Sequence, residues 1–113
     1  MPFLHWAEKR FARALARQQL GFYRAVQNEN PSLPKLDLYA QTLMRHPGYD
    51  AERARTLVRQ TEDGVSWWPH DREPTFRDIV HYLAVTEYTK GEDHDGTHVV
   101  FKKIIDKLIP ADL

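Results

Sequence analysis

The chain has 113 residues, 42% hydrophobic, 12% aromatic and 28% charged, a composition that excludes wholesale disorder and suits one domain over residues 1–113. It contains no cysteine, which excludes disulfides, thiolate catalysis and cysteine-ligated zinc. Its 16 Lys plus Arg balance its 16 Asp plus Glu, and zero net charge argues against a dedicated polyanion binder, because counterion release needs clustered cations unopposed by acids.

Residues 3–27 read as the first helix, and its two sides differ. Leu4, Phe11, Leu15, Phe22 and Val26 recur at helical spacing and form a narrow apolar stripe. All five cations of the segment, Lys9, Arg10, Arg13, Arg17 and Arg24, fall on the opposite arc. Trp6 and Leu20 lie among them, and Glu8 is the only acid, so the first 27 residues carry +4 and the remainder −4. The stripe accounts for folding; the basic arc is a candidate surface. Asn28-Glu29-Asn30 before Pro31 ends the helix, since Pro disfavours helix in the residue before it.

Ser32-Leu33-Pro34 reads as the start of a second helix with Ser32 cap-like, and Leu36, Tyr39, Ala40, Leu43 and Met44 keep helical spacing. His46-Pro47-Gly48 breaks it. Asp50 then caps a third helix with the stripe Ala51, Ala54, Leu57, Val58 and Val65, unless Asp63-Gly64 ends it first. A connection with Trp67, Trp68, Pro69 and Pro74 follows. Two indoles there either plug the end of the core or form an exposed interface anchor.

Thr75 with Asp78 three residues on is a capping-box pattern for a fourth helix, whose main stripe is Phe76, Ile79, Val80 and Leu83. Tyr82 and Val85 widen that arc, making this helix the most buried. The fifth helix is expected from Asp95. Phe101, Ile104, Ile105, Leu108 and Ile109 face one way, while Lys102, Lys103, Asp106 and Lys107 face the other. With no useful period-two alternation, the fold class is all-α, a single-domain bundle of about five helices. Its expected core is Leu15, Phe22, Leu43, Leu57, Val58, Ile79, Leu83, Phe101, Ile104, Ile105 and Leu108.

Catalytic and metal signatures fail on inspection. With Gly96 at position 6 of a calcium loop, Asp93 and Asp95 fit positions 3 and 5. Positions 1 and 12 are then Gly91 and Lys102, and both anchoring ligands are missing. His94 and His98 have the spacing of a helical zinc pair, but two flanking glycines favour a turn and further ligands are lacking. The acidic run reads instead as an N-terminal cap made by Asp95, with Asp93 beside the positive helix end. His81 lacks the Lys-Gly pair that follows an active phosphotransfer histidine and reads as a surface residue beside Asp78. His70-Asp71 has no accompanying nucleophile, and the glycines are too scattered for a phosphate loop. Arg53, Arg55 and Arg59 invite comparison with a helix-turn-helix, but the His46-to-Asp50 turn is long and acids offset the arginines.

The expectation is therefore a non-enzymatic domain with no cofactor and no metal. It acts by protein association, self-association included, through Trp6, Lys9, Arg10, Arg13, Arg17, Leu20, Arg24, Trp67 and Trp68. The alternative is a binder of an anionic surface, nucleic acid or acidic lipid, through the same basic arc. No run approaches the roughly 18 apolar residues of a membrane span. Charges from Glu8 onward interrupt any signal-peptide core, so the expected compartment is the cytoplasm.

Overall fold

A computed structural model describes residues 6–64, 73–90 and 96–113. It is all-helical, with the element order α1 (Trp6–Glu29), α2 (Lys35–Leu43), α3 (Ala51–Asp63), α4 (Phe76–Thr89) and α5 (Thr97–Leu108). Each helix packs on its neighbour in sequence. α5 closes the ring against α1, and α1 also touches α4 across the middle.

Local chemistry sets the helix ends. Asp50 Oδ1 accepts the Arg53 N–H at 2.8 Å, and Gly64, at φ 80°, stops α3 where a residue with a Cβ would be strained. Val65 therefore falls past the helix, outside the described residues. The Thr75/Asp78 capping box is closed in both directions: Thr75 N–H donates to Asp78 Oδ2 at 2.8 Å, and Asp78 N–H to Thr75 Oγ1 at 3.3 Å. Two expected starts are corrected. α2 begins at Lys35 behind Pro34, with no side-chain cap, so Ser32 does not cap it. α5 begins at Thr97 with Gly96 as its N-cap residue, whose left-handed φ of 78° turns the chain into the helix and which has no side chain to cap it. Asp93 and Asp95 lie outside the described residues.

One continuous core joins all five helices, and α4 contributes most to it, burying Phe76, Ile79, Val80, Leu83, Ala84 and Val85. Two aromatic clusters pin α1 near its ends. Tyr23 packs on Phe76 with ring centroids 4.5 Å apart, with Tyr39 alongside; Phe11 meets Tyr88 at 5.1 Å and Phe101 at 5.8 Å. The Leu113 carbonyl accepts from Phe76 N–H at 3.1 Å and from the Tyr39 hydroxyl at 3.3 Å, tying the last residues to the start of α4. Burial pushes the Tyr39 hydroxyl pKa up to about 12, with Tyr23 adding a smaller rise.

The buried face of α1 is rotated from the expected stripe. Ala12, Leu15, Ala16, Gln19, Tyr23 and Val26 are buried, whereas Phe11 and Phe22 are only half-buried. Small alanines let α1 sit close to its neighbours, so the face is chosen by fit as much as by hydropathy. Likewise α2 buries Leu38, Tyr39, Thr42 and Leu43 and leaves Leu36 and Met44 exposed. Leu108, expected in the core, is half-buried at its edge.

His81 is not a surface residue. It is buried on α4, where its Nε2–H donates to the His98 carbonyl on α5 at 2.9 Å, and Asp78 is engaged in the capping box instead. Burial lowers its pKa to about 4, because a charged imidazole would have to shed its water there. His98 stacks beside it, with ring centroids 6.4 Å apart.

Candidate functional site

The cations of α1 form a site only together with α5. Phe11 packs near Phe101, while Arg17 lies beside Leu108, so the two helices run side by side in the same direction. Lys9 and Arg13 from α1 and Lys103 and Lys107 from α5 line a cleft of about 280 Å³, with Val100 and Ile104 as its floor. The cleft continues along α1 to Arg17, with Leu108 extending the floor. Lys9, Arg13 and Arg17 are spaced four residues apart, about 6 Å per step along the helix. Lys103 and Lys107 form the facing rim with the same step.

The charges of this groove are not neutralised. Among the described residues, none of Lys9, Arg13, Arg17, Lys103 and Lys107 makes an ion pair. Glu8 faces the other way: it is half-buried and close enough to Tyr88 that its charge, after desolvation, helps raise that hydroxyl's pKa. Asp106 sits on the opposite flank of α5, bonded to Lys102 at 2.9 Å and 3.9 Å from Arg77. Like charges four residues apart on a helix destabilise it by about 0.2–0.5 kcal/mol per pair. The groove contains three such pairs: Lys9 with Arg13, Arg13 with Arg17, and Lys103 with Lys107.

The remaining expected interaction residues separate. Trp6 is 59% exposed at the start of α1, with the Arg10 guanidinium over its ring at 5.4 Å. It lies on the same arc as Arg13 and Arg17, two turns before Arg13. Arg24 is exposed two turns beyond Arg17, outside the cleft. Leu20 is corrected: it is half-buried and packs against the core, so it is no free anchor within the arc. Trp67 and Trp68 lie outside the described residues.

Lys103 and Lys107 were expected only as part of a solvated outer face. Their sequence signal is two lysines four apart, Lys103 with its i−4 neighbour Val99 and Lys107 with Lys103, neither having an acid at i±4. Lys102, by contrast, has Asp106. The arginines of α3 take other roles. Arg53 stacks over Tyr49 at 4.0 Å and donates to the Gly48 carbonyl and to Glu87, both at 3.1 Å, which fixes the α2–α3 turn against α4. Arg55 and Arg59 border a shallow groove between α2 and α3 together with Asp37 and Glu62, so acids offset them.

Among the described residues, no helix is long and apolar enough to cross a membrane, and no group of three or more His, Asp or Glu is placed to hold a metal ion. His94 lies outside them. Compared with known protein families, with curated proteins and with solved structures, the chain finds no match.

Proposed function

We propose that this protein is a non-enzymatic binder of anionic partners and that the α1/α5 groove is its binding surface. The observation that carries this reading is the set of five cations around one cleft with no ion pair among the described residues. The same fold pairs Arg45 with Glu29, Arg53 with Glu87 and Lys102 with Asp106 elsewhere. Zero net charge does not oppose it, because attraction across about 10 Å at 0.1 M salt depends on local charge. The test is retention of inorganic polyphosphate at 0.1 M salt. Arg13→Glu and Lys107→Glu should each weaken binding about ten-fold, and Arg59→Glu on α3 should leave it within two-fold. Absence of retention, or an equal effect of Arg59→Glu, would reject the groove.

A second reading, self-association, is favoured by exposed apolar residues outside the groove. Trp6 stands out at one end of α1, while Leu36, beside the α2/α3 groove, and Met44, at the C-terminal cap of α2, are 36% and 39% exposed. Its test is a solution mass that falls from dimer to monomer in Trp6→Ala or in Leu36→Lys/Met44→Lys.

A further inference from the structure

We propose that the occupant of the α1/α5 groove is a single-stranded nucleic acid, its phosphates lying between the two basic rims and a base stacking on Trp6. This rests on the groove being an anion site and adds what that anion must carry: flat bases as well as charge.

Three observations point to it. First, the cations line a cleft between two parallel helices packed against each other, with half-buried Val100 and Leu108 and buried Ile104 beneath. The recess is about 280 Å³ and is rimmed by cations from both helices, a size and charge that suit one sugar–phosphate backbone. Second, the exposed indole stands on the arc of Arg13 and Arg17, so one strand following α1 meets a stacking surface and then the cations in line. Stacking platforms combined with a basic track are how single strands are held without sequence preference. Third, the polar side chains that line the groove are all lysines and arginines, donors without an acceptor among them, which suits contact with phosphates.

From Trp6 to Arg17 the helix advances about 17 Å, the length of about five stacked nucleotides at about 3.4 Å each. An acidic bilayer fits less well. A membrane-lying face needs apolar side chains that protrude among its cations. On this face two separated side chains do so among the described residues, Trp6 at the start of α1 and Val99 one turn before Lys103 on α5; Leu20 packs on the core, and Val100, Ile104 and Leu108 lie beneath the rims.

The experiment compares four probes on the full chain at 50 mM salt: a labelled oligothymidylate of 12 nucleotides, the corresponding duplex, inorganic polyphosphate, and vesicles containing phosphatidylserine. The single strand should bind more tightly than the duplex or the vesicles. Trp6→Ala should weaken oligothymidylate about ten-fold and leave polyphosphate within two-fold. Trp6→Phe should restore most of the loss. Because Trp6 is largely exposed, an unchanged thermal melt is expected and separates lost stacking from lost folding. If polyphosphate binds but Trp6→Ala affects both polymers alike, or if vesicles or duplex bind best, this inference fails while the groove stands as an anion site. If none of the four binds, both fail.

Discussion

Two faces of this molecule use the same residue types to opposite ends. On the α3/α4 side, Arg53, Tyr49 and Glu87 form a closed set: the Tyr49 hydroxyl donates to Glu87 at 2.6 Å, and Arg53 donates to the same carboxylate while stacking on the tyrosine ring. Burial, followed by that hydrogen bond to Glu87, pushes the Tyr49 pKa up. On the α1/α5 side, five cations face one cleft with no carboxylate among the described residues to meet them. The difference teaches where a charge serves folding and where it is held ready for something else. A paired cation has its hydrogen bonds satisfied within the fold; an unpaired one, set beside others of its sign, weakens the fold slightly and attracts an external anion.

Both faces rest on one core, in which Leu83 of α4 is fully buried, so Leu83→Ala should remove about 2–5 kcal/mol of stability in urea melts. A loss below about 1 kcal/mol would mean that no shared core holds the two faces in place.

Acid supplies the next effect. His81 titrates near 6.5 when unfolded and about 4 in the fold, so the unfolded chain binds the extra proton between those values. The stabilisation from neutral His81 is complete above about pH 6.5 and is lost as pH falls toward 4, on the order of 3 kcal/mol. His46, lowered mainly by burial, adds to the same slope. His81→Gln should flatten the stability profile across that window; an unchanged slope would contradict the burial of His81.

The smaller effects distinguish the faces directly. Glu87→Ala leaves Tyr49 and Arg53 without their acceptor and should cost about 1–3 kcal/mol, with polyphosphate binding unchanged. Arg13→Glu should shift stability in the favourable direction, by about 1 kcal/mol at low salt, because it replaces two like-charge pairs with opposite ones. If Arg13→Glu destabilised the fold as much as Glu87→Ala does, the groove cations would have structural partners after all.

Much of this was readable from the residues, and the failures share a physical cause. Caps are local chemistry, so Asp50 and the Thr75/Asp78 box marked their helix starts correctly. Helix faces depend on neighbours. Hydropathy favoured Phe22 over Ala12, Ala16 and Gln19, yet close packing buries the latter three. Gln19 is fully buried, with its Nε2 3.3 Å from His46 Nδ1, and no hydrophobic pattern signals such a residue. The basic arc of α1 was visible as periodicity within one helix. Its completion by Lys103 and Lys107 was not, because α5 lies far away in sequence and only tertiary packing sets the two rims side by side.

If cations from both helices engage one anionic strand together, as proposed, the salt dependence of oligothymidylate binding counts them. Five phosphate contacts on a single strand predict a slope of log K against log salt of about −3.5. Removing the α5 rim with Lys103→Gln/Lys107→Gln should reduce it to about −2. A slope unchanged by that double substitution would show that α5 takes no part, and the two-helix groove would not be the site.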